Sequence, residues 1–134
     1  MDSRSMNLLD GTMFFNAFSS GASAVIKVQN DLNKLNVFPV PDGDTGTNLA
    51  STMRYILELT DVSNSTGKTT RSIADTALMG ARGDSGAIFA QYMHGLSNVI
   101  GNRESIDRQT FARAAQEAIS YAYDEWLPQL KELC

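Results

Sequence analysis

The chain has 134 residues, 43% of them hydrophobic and 19% charged, which suits one domain with its own core and leaves too little for two. Eleven basic against fifteen acidic side chains give a formal charge of −4, a poor platform for nucleic acid, so any phosphate-bearing ligand must rely on helix N-termini, backbone amides or a metal ion. No stretch approaches the roughly 20 apolar residues of a membrane span. No apolar signal core follows Met1-Asp2-Ser3-Arg4-Ser5, and a lone Cys134 forms no internal disulfide, so a cytoplasmic location is expected.

Phe14, Phe18, Ala22, Val25, Val28, Leu32 and Leu35 recur at helical spacing and predict a first helix with this stripe in the core. Ser19-Ser20-Gly21 weaken its middle, where a kink or break is expected. Pro39 and Pro41 forbid helix and favour an extended segment over Asn36–Pro41. Leu49, Met53, Ile56, Leu57 and Thr60 mark one face of a second helix. A polar loop, Asp61 to Lys68, leads to a third helix from about Thr70 to Met79, with Ser72 and Asp75 in a capping arrangement. Gly80 to Gly86 interrupts the pattern. Ala87 to Ile100 follows, with Ile88, Tyr92, Met93, Leu96, Val99 and Ile100 on one side, and Gly101-Asn102 stops it. Asp107 reads as the N-cap of the last helix, whose predicted buried stripe is Phe111, Ala115, Ala118, Ile119, Ala122 and Trp126, and which Pro128 ends or kinks. No segment alternates with period two. The expected fold class is all-α, an antiparallel bundle of about five helices.

Two loops carry nearly all the chemistry. In Pro41-Asp42-Gly43-Asp44-Thr45-Gly46-Thr47-Asn48, two carboxylates two residues apart sit in a glycine-loosened loop just before a helix. Oxygen-only ligands suit Mg²⁺ or Ca²⁺ rather than zinc, and the EF-hand spacing fails, with Gly46 at its fifth position and Met53 at its twelfth. Thr45, Thr47 and Asn48 add hydroxyl and amide groups where helix amides and dipole favour phosphate. A solvated turn with an ordinary N-cap accounts for one Asp and one Thr, not for eight such residues in a row. In the second loop Gly80, Gly83 and Gly86 recur at every third position, and Ser85 stands at a helix start. Alone this loop is weak evidence. Paired with the first, it gives two helix N-termini, one with metal ligands, which is a way to hold a nucleotide in an acidic protein. Gly67-Lys68-Thr69 is not a P-loop, because Val62 stands where its first glycine belongs and a helix precedes it instead of a strand. Arg82-Gly83-Asp84 and the sequon Asn64-Ser65-Thr66 would need export, which nothing signals. His94 lies mid-helix, packed or on the surface, and no nucleophile–base constellation assembles.

The run Leu35 to Asn48 and the run Met79 to Gly86 resemble the nucleotide-binding, L-type domain shared by dihydroxyacetone kinases and the A subunit of bacterial fatty-acid kinase, with the first motif closer to the latter. The resemblance extends from about Leu9 to Tyr123. It implies an antiparallel helical barrel of about eight helices that binds ATP or ADP through two Mg²⁺ ions. It implies Asp42 and Asp44 as metal-holding, catalytic carboxylates, and Asn36 where the dihydroxyacetone kinases carry a further metal-binding Asp. It implies Thr45, Gly46, Thr47, Asn48, Met79, Gly80, Gly83, Asp84, Ser85 and Gly86 as nucleotide-binding positions, with Asp84 replacing the Asn usual in the fatty-acid kinase branch. The function it implies is that of a phosphotransferase domain whose acceptor, dihydroxyacetone or a fatty acid, is presented by a partner subunit, without which the domain is inactive. Residues 1–134 then form a single Mg-nucleotide-binding domain, incomplete at its C-terminal end, because Trp126-Leu127-Pro128-Gln129-Leu130 replaces the family's continuation. An incomplete barrel exposes apolar helix faces, so a homodimer or a remodelled bundle is expected. The other reading is a non-catalytic, nucleotide- or metal-responsive module acting through a partner protein.

Overall fold

The computed structural model of the chain describes residues 7–35 and 43–133, with side chains as far as Asp124. Asp10 opens the first helix, α1 (Gly11–Lys27), its carboxylate accepting the Met13 amide at 2.9 Å. The helix continues through Ser19-Ser20-Gly21, so the expected break is not there. It falls at Val28 (φ −102°, ψ 17°), after which α2 (Gln29–Lys34) begins. The break lets α2 lie on α3 (Thr45–Leu59), where Gly46 is pressed against the Gln29 carbonyl. The break also ends the periodicity on which the first stripe depended, and Val28 and Leu35 are exposed instead of core. The segment Asn36–Pro41 lies outside the described residues.

The predicted face of α3 is confirmed, with Met53 and Ile56 buried. The helix after it, α4 (Thr66–Gly80), begins four residues before the expected start. Ser65, not Ser72, caps it, accepting the Lys68 amide at 3.3 Å, while Ser72 accepts the Asp61 amide at 2.8 Å and ties down the preceding loop. Apolar periodicity misses this first turn because its buried residues are polar. Thr66, Thr69 and Thr70 are all 0% exposed, and each hydroxyl donates to a carbonyl, of Leu9 (2.7 Å), Ser63 (2.8 Å) and Thr66 (2.9 Å) respectively. Those bonds remove the penalty of an unpaired buried hydroxyl.

Ala81-Arg82 is all that separates α4 from α5 (Gly83–Ile100), so Gly83 to Gly86 form a first helical turn and not a loop. Gly101, at φ 63°, ends α5 as expected. Asp107 opens α6 (Arg108–Leu133), accepting the Thr110 amide at 2.7 Å. The helix continues past Pro128, since a proline deletes one ladder bond and leaves the others. The stripe of α6 is borne out at Ala118 and half-buried at Ala115 and Ala122, but is rotated toward Ala114, which was not expected in it. Ala114 and Ala118 are buried against α5, whereas Phe111 and Ile119 are exposed; the Trp126 side chain lies outside the described set. Gly95 leaves room for the Tyr121 ring at this interface, since a methyl there would run into it.

A two-residue antiparallel pair, β1 (Leu9–Asp10) with β2 (Ser105–Ile106), joins the start of α1 to the α5–α6 loop; it is too short for alternation to reveal. Phe14, Ile56, Ile73, Ala77, Met93 and Ile100 form the centre of the core, with α5 between α4 and α6. The protein is an all-α bundle. No described helix is long and apolar enough to cross a membrane.

Candidate functional site

The connection from α4 to α5 runs along one face of α3. Thr45, Asn48, Thr52 and Tyr55 recur at three- and four-residue intervals and so share that face. Each meets a residue of the second motif. Gly80 lies on the Tyr55 ring, the Arg82 amide donates to Thr52 Oγ1 at 3.1 Å, Gly83 abuts the Asn48 side-chain amide, and the Ser85 hydroxyl donates to the Thr45 carbonyl at 3.4 Å. Gly83 has φ 63°, so a side chain there would be strained as well as in collision with Asn48. Thr52 is fully buried between the motifs; its hydroxyl donates to the Asn48 carbonyl at 2.9 Å while accepting Arg82.

These contacts bring the first turns of α3 and α5 together. The leading amides of a helix have no acceptor within it, and the dipole places partial positive charge there, so two adjacent starts form an environment for an anion. Six of the predicted positions, Thr45, Asn48, Gly80, Gly83, Ser85 and Gly86, belong to the interlock itself; a methyl at Gly86 would stand 2.6 Å from Thr52 Oγ1. Gly46 faces the other way, onto α2. Met79 and Asp84 are exposed, on the last turn of α4 and the first of α5. Asp42 and Asn36 lie outside the described residues.

Asp44 occupies the N-cap position of α3 (φ −118°, ψ 4°) and is exposed, yet its side chain makes no capping bond. Asn33, on α2, takes that role. Its Oδ1 accepts the Thr47 amide at 2.9 Å, and its Nδ2 donates to Thr47 Oγ1, also at 2.9 Å. Sequence reasoning misses Thr52, Tyr55 and Asn33. The first two were accessible as a polar stripe in phase with Thr45 and Asn48. Asn33 carried no such signal, since its reach depends on the break at Val28. The donors at this start are the Asp44 carboxylate and threonine hydroxyls, all hard oxygens, and among the described residues no three His, Cys, Asp or Glu side chains gather. That chemistry fits Mg²⁺, which is commonly held through one or two carboxylates together with ligand phosphates.

Two apolar depressions flank α5. One, of about 390 Å³, is lined by Leu49, Ser85, Ile88 and Tyr92 and so adjoins the paired helix starts. The other, of about 450 Å³, lies between α1, α5 and α6, away from both motifs, with Phe14, Phe18, Phe89, Tyr92, Leu96 and Phe111 in its walls. Phe14 meets Phe111 edge-on, with ring centroids 6.2 Å apart. The Tyr92 hydroxyl donates to the Ala115 carbonyl at 3.0 Å, and burial raises its pKa.

Residues 39–127 match the DAK2 domain, and the chain belongs to that family, which is related to the dihydroxyacetone kinases. The match covers the first motif from Pro39 onward and the whole of the second. Among individual proteins, the chain is 37% identical over 123 residues to Protein YloV of Bacillus subtilis, a match covering 89% of this chain and 22% of that protein. It is 35% identical over 117 residues to an uncharacterized protein of Staphylococcus saprophyticus, and 33% identical over 117 residues to one of Staphylococcus aureus, each covering 86% of this chain and 21% of the relative. The chain thus spans about a fifth of the length of the curated relatives it matches.

Proposed function

We propose that this chain is a Mg²⁺-dependent ATP/ADP-binding domain of a phosphotransferase of the dihydroxyacetone kinase or fatty-acid kinase type, with its phosphate acceptor presented by a partner subunit. The observation that carries this reading is the interlock of the two motifs, which brings the start of α5 against the first turn of α3, whose N-cap residue is Asp44. Amides at the starts of α3 and α5, with the hydroxyls of Thr45, Thr47 and Ser85, hold phosphate oxygens. Gly83 and Gly86 let the second motif come close enough to α3 to do so. Asp44 holds the metal with Asp42, and Asn36, six residues upstream of Asp42, is the third candidate ligand. When bound, Mg²⁺ neutralises phosphate charge that a protein with a net charge of −4 has few cations to meet. Asp84, exposed in the first turn of α5, brings a negative charge to the same edge. The cytoplasm, where Mg·ATP is available, is the compartment that suits this activity.

Calorimetric titration with ADP, with and without Mg²⁺, tests the reading. Binding is expected only with the metal. Asp44→Asn should leave helicity intact, because the carboxylate makes no capping bond, and should abolish the Mg²⁺-dependent binding. Unchanged nucleotide affinity in that variant would remove Asp44 from the metal site. A phosphoryl-transfer assay supplemented with an acceptor-presenting subunit separates the enzyme from a non-catalytic nucleotide-responsive module.

A further inference from the structure

We propose that Asn33 is a positioning residue of the nucleotide site, holding the Thr47 hydroxyl so that its hydrogen is free to be donated to a phosphate oxygen; the inference rests on the nucleotide-binding reading above. The orientation of the Asn33 amide follows from chemistry. A backbone N–H can only donate, so the group facing the Thr47 amide must be Oδ1, and Nδ2 therefore faces Thr47 Oγ1. The hydroxyl is thereby the acceptor in its bond to Asn33, and its own hydrogen points elsewhere. Other helical threonines of this chain do the opposite. Thr52, Thr70 and Thr76 each donate back to the carbonyl four residues earlier, at 2.9 Å, which uses up the hydrogen within the helix.

Thr47 is exposed on the first turn of α3, the same turn whose Thr45 carbonyl receives Ser85 from α5. Its amide is already satisfied by Asn33, so the hydroxyl is the group this residue has left to offer an anion. One side chain thus does two jobs: Oδ1 caps the helix in place of Asp44, and Nδ2 sets the polarity of a hydroxyl. Asp44 is relieved of capping by the first. The tight seat of Gly46 on the Gln29 carbonyl fixes α2 against α3 and keeps Asn33 within reach.

A double-mutant cycle on the 134-residue chain tests this, with Mg·ADP affinity from calorimetry and the melting temperature measured on every variant. Thr47→Val removes the hydroxyl at constant shape, and Asn33→Ala removes both bonds. Each should weaken binding about tenfold, the usual loss for one hydrogen bond to a charged group, and the double variant should be no weaker than the worse single one. Asn33→Ala will also lower the melting temperature through the lost cap. Asn33→Asp keeps the capping acceptor and hence the melting temperature, but draws the Thr47 hydrogen toward itself. It should weaken binding in the wild-type background and lose most of that effect in Thr47→Val. Effects that multiply in the double variant, or an Asn33→Ala affinity within about twofold of wild type, would overturn the role of Asn33 while leaving the nucleotide reading intact. Absence of Mg·ADP binding by the wild-type chain would overturn both.

Discussion

Gly83 shows how much of the candidate site depends on one residue. Its φ of 63° belongs to glycine, and the space where its Cβ would stand is taken by the Asn48 amide. Gly83→Ala should therefore lower stability by at least about 1–2 kcal/mol from the backbone alone, and force Asn48 away from the second motif, with loss of Mg·ADP binding. Gly21 is the control. It lies inside α1, and a methyl added there would meet nothing within 4 Å, so Gly21→Ala should raise the melting temperature through a gain of roughly 0.5–1 kcal/mol in helix preference and leave binding unchanged. Thermal melts and calorimetry on the two variants check both. The pair also shows what the sequence could and could not say of single residues. The glycine spacing of 80, 83 and 86 suggested close approach to a ligand, whereas in the fold these glycines make room for side chains of α3. Which partner each glycine approaches, Tyr55, Asn48 or Thr52, depends on the register of α4 and α5 against α3, and no local pattern encodes that.

At the scale of elements, the helices read correctly are those whose buried faces are large and apolar. In α3 and α5 the periodicity of Met53, Ile56, Met93, Leu96 and Ile100 matches burial. The errors fall where burial is made from something else. Hydrogen-bonded threonines seat the first turn of α4, the small Ala114 joins the expected Ala118 in seating α6, and the α1–α2 break lies beside the contact of Gly46 with Gln29. Capping was legible at Asp107, which accepts the Thr110 amide as expected, but not at Ser65, whose equally local cap precedes a first turn with no apolar stripe to mark it. The bond from the Thr110 amide, first of all, holds the Asp107 carboxyl below the ordinary carboxylate pKa of about 3.9. A depressed pKa in the folded state means that the stabilisation is complete above the unfolded value and is lost as pH falls through the folded one. Thermal melts between about pH 2 and pH 6 should show wild type losing stability below about pH 4, and Asp107→Asn, which keeps an acceptor and has no proton to take up, should lack that component. Asp107→Ala should melt a few degrees lower at neutral pH. Identical pH profiles for wild type and Asp107→Asn would show that the cap contributes no pH dependence.

At the scale of the whole molecule, the bundle is unevenly filled. α4 and α6 both pack on α5, and α1 packs on α3 and α4, so α1 and α6 stand on either side of the groove over Phe89, Tyr92 and Leu96. The Phe14–Phe111 ring pair bridges them, and Phe111 is still 40% exposed, with Met13, Ile119 and Tyr123 also exposed on the same two helices. Open apolar surface of this extent favours association. The homodimer expected from the sequence would cover the groove with a second copy, each supplying the same apolar face, as a two-fold interface requires. Mass action then makes the melting temperature rise with protein concentration. Phe111→Asp places a charge on the rim. It should cost the monomer roughly 1 kcal/mol through the lost ring pair, abolish the concentration dependence, and leave Mg·ADP binding unchanged, since the groove lies away from both motifs. Melting that is independent of dilution in the wild-type chain would reject the dimer. Loss of nucleotide binding on Phe111→Asp would instead tie the groove to the site through α5, the helix that carries the second motif at its start and the groove's floor in its middle.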